Sequence, residues 1–315
     1  MDKESKKNLI SIVTPCYNEE GNVEELYKQI RDLMGALDKY EYEHIFIDNA
    51  SKDNTTDILK RLAKYDKRLK IIINTRNFGW VRSPNYVIHQ AQGDAVISIA
   101  ADLQDPPDLI REFIKYWEEG YKVVAGVKSK SEEFFLMRIV RNAFYDFINK
   151  VSEVEQLKNF TGYGLYDREV VEYLKKMKDS YPYFRGLICE IGYDIKKVEY
   201  LQRKRRKGRS SSDFYKLYDV AMLGIMNTSK IPLRIATFMG FLLSAFSILV
   251  AFIYFILKLL LWMAFPIGMA PIVIGIFLFS SVQLLFIGII GEYIGATYTQ
   301  VLHRPLVVEK ERINF

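Results

Sequence analysis

LISIVTPCYNEEGNVEELYKQIRDLMGAL, residues Leu9–Leu37, sets the fold class of this chain. Leu9 to Thr14 is a short apolar run rich in β-branched residues, and it stops at Pro15, as a buried strand does. From Asn22 to Leu37, the apolar residues Val23, Leu26, Ile30, Leu33 and Leu37 recur at helical spacing. Strand, polar loop and amphipathic helix then repeat along the chain. Tyr42–Ile47, Leu69–Ile73, Ala95–Ala100 and Lys122–Gly126 have strand character. Thr55–Tyr65, Ser83–Gln92 and Asp108–Glu119 have helix character, with Pro84 suited to a first turn. Alternation of this kind predicts an α/β domain with a Rossmann-like, mostly parallel sheet and right-handed crossovers. Such sheets bind ligands beyond the carboxyl ends of their strands. Polar loops follow the first, second and fourth strands, so the chemistry is sought there.

Composition divides the 315 residues in two. Half are hydrophobic and 26% are charged, yet between Arg234 and Glu292 the only charge is Lys258. Ile235–Leu257 and Ala270–Ile290 are each long enough to span a bilayer, with Trp262, Phe265, Pro266 and Gly268 marking the turn between them. A short turn makes an antiparallel hairpin. Lys230, Arg234, Arg304, Lys310 and Arg312 then gather at its outer ends, which the positive-inside rule places in the cytoplasm. The polar start, MDKESKKN, leads straight into a strand rather than a signal-type apolar stretch, which agrees with a cytoplasmic domain. The net charge of +6 beside two spans favours an anionic membrane surface or anionic substrate over nucleic acid. The two cysteines, Cys16 and Cys189, have neither disulfide-framework nor metal-site spacing. Phe134–Val151 and Phe214–Met226 have amphipathic helical patterns, the second next to the first span.

Three loops carry the candidate chemistry. TPCYNEE (Thr14–Glu20) suits a ledge for a base and ribose, with Tyr17 to stack and Glu19 to accept a hydrogen bond. IDNASKDNT (Ile47–Thr55) places Asp48 at a strand end, where it also suits a base or ribose, while Ser51 or Asp53 suits a helix cap. AADLQDPP (Ala100–Pro107) holds Asp102 and Gln104 two residues apart, facing the same way on an extended segment. Such oxygen donors suit Mg2+ or Mn2+ on a diphosphate. RKRRKGR (Arg203–Arg209) is the one strong charge run.

These segments, together with RNFG (Arg76–Gly79), GYGLYDR (Gly162–Arg168), KGRS (Lys207–Ser210), GEYIG (Gly291–Gly295) and HRPL (His303–Leu306), fall in a familiar order. The chain resembles the family-two glycosyltransferases of GT-A fold. Within them it is similar to the polyprenyl-phosphate glycosyltransferases, which include dolichol-phosphate mannose synthases and bacterial enzymes that load undecaprenyl phosphate. The resemblance implies that Pro15, Tyr17, Glu19 and Asp48 hold the nucleotide, and that Asp102 and Gln104 serve the divalent metal. Arg141, Arg206 and, less directly, Arg76 become candidates for donor or acceptor phosphate, because the planar guanidinium fork makes bidentate contacts.

It further implies inverting transfer of a sugar from a nucleotide-sugar, a UDP-sugar by likeness to the bacterial members, to polyprenyl phosphate. The expected setting is the cytoplasmic face of the plasma membrane, in a multi-pass protein whose hairpin packs against copies of itself. The corresponding division is a catalytic domain over 1–212, a juxtamembrane helix over 213–230, two spans over 231–295 and a cytoplasmic tail over 296–315. Four departures stand out. The family's Asp-x-Asp is Ala100-Ala101-Asp102 here, and its Asp-Asp-Gly-Ser has Asn49 and Ala50 at two places. Gly162, Tyr163 and Gly164 replace Asp-Phe-Arg, and Ser211 replaces a lysine. A membrane polysaccharide synthase and a catalytically degraded membrane scaffold are the competing functions. Two spans are few for a polymer channel, whereas Ala100 leaves room for the scaffold.

Overall fold

The computed structural model describes residues 7–130, 152, 154–203, 219, 222–227, 229–260 and 269–315. Its strands are β1 (Leu9–Cys16), β2 (Glu41–Asp48), β3 (Leu69–Asn74), β4 (Ala95–Ser98), β5 (Val123–Lys130), β6 (Phe160–Asp167), β7 (Ile195–Leu201) and β8 (Glu309–Ile313). Its helices are α1 (Val23–Gly35), α2 (Thr55–Ala63), α3 (Gly79–Gln90), α4 (Ile110–Glu118), α5 (Arg168–Met177), α6 (Phe184–Glu190), α7 (Ile231–Leu260) and α8 (Met269–Val301). The eight strands form one sheet in the order β7-β5-β6-β4-β1-β2-β3-β8. Neighbours are parallel except where β6 runs against β4 and β5, and β8 against β3.

Period-two alternation sorts the strand side chains between two cores. Ile10, Ile12 and Phe46 pack with Leu26, Ile30, Leu59 and Phe113 of α1, α2 and α4. Val13, Ile45, Ile47 and Ile72 pack with Val87, Val170, Val171 and Ile188 of α3, α5 and α6. Both faces are thus covered by helices, the usual state of a mostly parallel sheet.

The first five predicted strands and the four helices predicted between them are present, with ends moved by a few residues. One shift changes a local reading. The third helix begins at Gly79 rather than Ser83, so Pro84 sits in its second turn, not its first. The strands β6, β7 and β8 carry no alternation strong enough to read beforehand. The segment 296–315, expected as a tail, finishes α8 at Val301 and then supplies β8 to the sheet edge. Thr75 donates from its N–H to Val308 O at 2.9 Å, and Asn314 Nδ2 donates to Ala63 O at 2.8 Å and Leu69 O at 2.9 Å. These bonds hold the final residues on the sheet edge.

The described helices include two long and apolar enough to cross a membrane, at Ile231–Val250 and Leu278–Val301. Phe238, Phe241 and Leu284 among others are exposed on them. Tyr293 Oη donates to Ser229 O at 2.7 Å and ties α8 to the start of α7. With β8 back on the sheet, the chain that follows α8 ends on the α/β domain. The predicted turn residues Trp262, Phe265, Pro266 and Gly268 lie outside the described residues, as does the Phe134–Val151 helix. Of the Phe214–Met226 helix, Asp219 and 222–226 are described, and they are helical.

His44 on β2 gives the fold a pH dependence. Its Nε2 lies 2.9 Å from Thr14 Oγ1 and the ring is fully buried. Desolvation holds its pKa down at about 3, and burial with the Lys175 cation holds His89 at about 4. Below pH 6.5 the unfolded chain binds protons that these folded imidazoles refuse, so stability is full above that pH and falls as pH drops towards 4. Each such proton contributes a slope of about 1.4 kcal/mol per pH unit. His44→Gln is expected to flatten the fall of the melting temperature between pH 6 and pH 4.5. An unchanged slope would show that His44 titrates normally.

Candidate active site

Two adjoining cavities, of about 550 and 340 Å3, open at the carboxyl ends of the strands. They share Pro15, Trp80, Pro84, Ala100 and Asp102. The larger chamber is completed by the β1 loop, including Tyr17 and Glu19, and by Asn49, Asn77 and Ser83. The smaller adds Gln104, Asp105, Lys128, Gly162, Tyr163 and the segment Pro182–Arg185. Asp102 therefore stands where the chambers meet.

Hydrogen bonds between loops shape the larger chamber. Asn18 donates from its N–H to Ser51 Oγ at 2.9 Å, and Glu19 from its N–H to Thr55 Oγ1 at 2.8 Å. Lys52 N–H returns a bond to Asn18 Oδ1 at 2.8 Å. Asp48 is fully buried and accepts from Ser51 Oγ and Thr56 Oγ1, both at 2.5 Å. It lines neither chamber, so in this structure its carboxylate braces the loop that was expected to carry the nucleotide contact. Asp53, expected as a cap, accepts from Thr55 N–H at 3.0 Å.

Asn49 ties this loop to the next. Its Nδ2 donates to Asn77 Oδ1 at 2.9 Å and Gly79 O at 3.2 Å. Its Oδ1 accepts from Phe78 N–H at 2.9 Å and Asn74 Nδ2 at 3.0 Å. Ala50 next to it has φ of +60°, which explains why glycine is usual there in the resembled enzymes. Ala50→Gly is expected to raise stability by about 0.5 to 1 kcal/mol, since relief of strain exceeds the added freedom of the unfolded chain. A thermal melt checks it, and a lowered melting temperature would refute it.

The Asp102 loop is held by aromatics. Leu103 has φ of +59°, so Asp102 and Gln104 flank a left-handed turn rather than sharing one face of an extended segment. Asp102 Oδ1 accepts from Gln104 N–H at 3.2 Å. Gln104 Nε2 points to Arg203 O at 3.4 Å, and Arg203 N–H donates to Gln104 O at 3.0 Å. Tyr200 Oη donates to Asp105 Oδ1 at 2.5 Å, and Tyr163 Oη to Pro106 O at 2.7 Å. Burial, with a smaller contribution from the Asp102 charge, pushes the Asp105 carboxyl up to about 6.

The expected site residues thus separate. Pro15, Tyr17, Glu19, Asp102 and Gln104 line the cleft, while Asp48 lies beneath it. Arg76 lines neither chamber; its guanidinium lies 4.0 Å from the Phe78 ring centre and donates to Asn77 O at 3.0 Å. Arg141 and Arg206 lie outside the described residues. Sequence reasoning missed Trp80, Lys128 and Arg185. Trp80 follows the RNFG segment directly and is 47% exposed, which is unusual for tryptophan. Arg185 sits in the aromatic stretch PYFRG and donates from Nη1 to Phe160 O at 3.3 Å.

A divalent cation tests the donor set. Among the described residues no group of three or more His, Cys, Asp or Glu is placed to hold one. Mg2+ needs no such cage, because one or two carboxylates plus substrate phosphates suffice. Asp102, whose carboxylate accepts one backbone N–H and faces both chambers, fits that role with Gln104 beside it.

The eight-stranded α/β sheet thus carries a two-chambered cleft at the carboxyl ends of its strands. Residues 11–175 match the family described as "Glycosyl transferase family 2", and the chain belongs to that family. It is 36% identical over 299 residues to the uncharacterised glycosyltransferase YkcC of Bacillus subtilis, covering 95% of this chain and 92% of that one. It is 34% identical over 302 residues to the bactoprenol glucosyl transferase of Shigella phage SfV, covering 96% and 98%. Among solved structures, glucosyl-3-phosphoglycerate synthase from Mycobacterium tuberculosis, in complex with Mn2+, UDP and phosphoglyceric acid, superposes with a TM-score of 0.48. That identity is 19%, covering 70% of this chain and 76% of the other. The protein is a glycosyltransferase.

Proposed function

We propose that the protein transfers a sugar from a nucleotide-sugar, a UDP-sugar in the first instance, to a polyprenyl phosphate, with inversion at the anomeric carbon. The observation that carries this is Asp102 at the junction of two chambers. One chamber is walled by loops suited to a nucleotide. The other holds Lys128 and Arg185, cations suited to a phosphate acceptor. The likeness to a bactoprenol glucosyl transferase along almost the whole chain supports the lipid acceptor. Two apolar helices rooted at the domain support a membrane setting, read as the cytoplasmic face of the plasma membrane with the hairpin packed against copies of itself.

Tyr17 stacks on the base and Glu19 accepts from the base or ribose. Trp80, exposed at the junction, stacks on the sugar face. Asp102, with Gln104, would hold a Mg2+ or Mn2+ ion, whose chemistry is to neutralise a leaving diphosphate. Lys128 and Arg185 align one acceptor phosphate oxygen with the anomeric carbon. That oxygen forms the new C–O bond as the bond to the nucleoside diphosphate breaks, and the electron pair leaves with the diphosphate. A phosphate monoester with a second pKa near 6 is already largely dianionic at neutral pH, so no general base is required. Gly162, where the resembled enzymes carry an acid, is consistent with that. Positioning and charge neutralisation supply the rate enhancement.

Purified protein in vesicles, given undecaprenyl phosphate and a panel of nucleotide-sugars with Mg2+, Mn2+ or chelator, tests the assignment. One donor is expected to yield a lipid-phosphate sugar in a metal-dependent reaction. Lys128→Ala and Arg185→Ala are each expected to raise the lipid KM by about tenfold or more with the donor KM little changed. Trp80→Ala should raise the donor KM instead, with Trp80→Phe intermediate. No product from any donor, by folded and inserted protein, would favour the degraded scaffold. A polymeric product would favour the polysaccharide synthase.

A further inference from the structure

The wall of the smaller chamber is fastened to the second membrane-length helix. Gln300 lies in the last turn of α8, which ends at Val301. Its Nε2 donates to Asp179 Oδ1 at 2.5 Å, and its Oε1 accepts from Ser180 N–H at 3.1 Å. Asp179 Oδ1 also accepts from Tyr181 N–H at 2.8 Å. One amide thus clasps two successive residues, Asp179 and Ser180, and Asp179 in turn holds Tyr181. The next four, Pro182–Arg185, are the chamber wall. The Arg82 guanidinium lies over the Tyr181 ring, 5.4 Å from its centre. The N–H groups of Gly186 and Leu187 bond Tyr183 O at 2.9 and 3.0 Å and start α6. Little slack separates the clasp from the wall.

The helix geometry explains why the clasp sits where it does. A helix of 33 residues is about 50 Å long, against a hydrocarbon thickness of about 30 Å. Such a helix has turns to spare beyond the apolar layer, and in its last turn the Gln300 amide bonds the α/β domain. Beyond them, β8 pairs with β3, so the chain is fixed to the domain on both sides of the short HRPL stretch.

We propose that Gln300 is a positioning residue, whose clasp on Asp179 and Ser180 sets the height of the Pro182–Arg185 wall against the membrane helix. The wall, with Arg185 on it, is thereby presented to a phosphate carried at headgroup level. This rests on the lipid-phosphate acceptor proposed above. Neither Gln300 nor Asp179 touches substrate. They act through the wall.

Gln300→Glu replaces the donor with a carboxylate facing Asp179, while its oxygen still accepts from Ser180. In vesicles this variant is expected to raise the KM for undecaprenyl phosphate about tenfold, with kcat and the nucleotide-sugar KM within about twofold. A short-chain prenyl phosphate dissolved in water should be used about as well by the variant as by the parent, because it approaches the wall without a bilayer to fix its height. Adding Asp179→Asn returns a donor to the pair and should restore the lipid KM. An unchanged lipid KM, an equal loss with both acceptors, or no restoration would each overturn the proposal. A parent protein that forms no lipid product at all would overturn the lipid acceptor as well, which separates the two failures.

Discussion

Asp102→Ala is expected to lower sugar transfer about a thousandfold or more while the melting temperature stays nearly unchanged. The asymmetry follows from what the carboxylate does in the fold. It accepts from Gln104 N–H at 3.2 Å, a part-buried contact whose loss costs about 0.5 kcal/mol. Its place at the junction of both chambers, however, is where the proposed reaction needs a carboxylate to serve a cation on the departing diphosphate. The binding measurement is Mn2+ titration in the presence of UDP, which should detect binding by the parent protein and none by the variant. Full turnover by Asp102→Ala would remove this residue from the site. The converse substitution, Ala100→Asp, adds the acid that the family's Asp-x-Asp supplies. It is expected to lower the Mg2+ needed for half-maximal rate by about tenfold, as an extra anionic ligand does. A large gain in turnover itself would mark the native site as degraded.

The second large effect concerns stability. Asn49→Asp, which restores the acid usual in the resembled enzymes, is expected to destabilise this protein by about 3 kcal/mol. The amide orientation is fixed by the backbone: Phe78 N–H must meet Oδ1, and Gly79 O must meet Nδ2. A carboxylate keeps both accepting bonds and loses both donating ones. It also brings negative charge against Asn77 Oδ1 and Gly79 O, now 2.9 and 3.2 Å from the amide nitrogen, at a site only 7% exposed. Those contacts and burial raise the carboxyl pKa in the folded state, so the deficit is complete at neutral pH and shrinks as pH falls towards the unfolded value. Thermal melts at pH 7 and pH 5 give both readouts. Equal stability at pH 7 would mean the Asn49 bonds contribute nothing net.

Asn49 and Ala50 illustrate how far departures from a family pattern can be read. In sequence they are two replacements in one loop. In the structure Asn49 is a four-bond hub, and Ala50 keeps the left-handed backbone that glycine would adopt more easily. Gly164 is another case. A Cβ there would lie 2.4 Å from Val124 O, so β6 passes β5 too closely for the arginine usual at that place. Gly162, with φ of +97°, is likewise held to a conformation that side chains resist. These positions were legible as unusual. Their reasons were not, because each depends on an element distant in sequence.

The α/β alternation, the first five strands, the helices between them, the two apolar helices and the loops that carry Tyr17, Glu19 and Asp102 are all legible in the order of residues alone. Those features are local: hydrophobic periodicity and turn residues act over a few positions, and binding loops follow from strand ends. Contacts between distant segments set the rest. They placed β6 antiparallel inside the sheet and returned β8 to the edge, since the pairing that stabilises a strand comes from neighbours far along the chain. They turned Asp48 into the loop, because Ser51 and Thr56 fold back to meet it. They brought Trp80, Lys128 and Arg185 into one cleft from three separate elements, and fastened the chamber wall to α8 through Gln300. Periodicity tells which face of an element is buried, but only packing tells what that face meets.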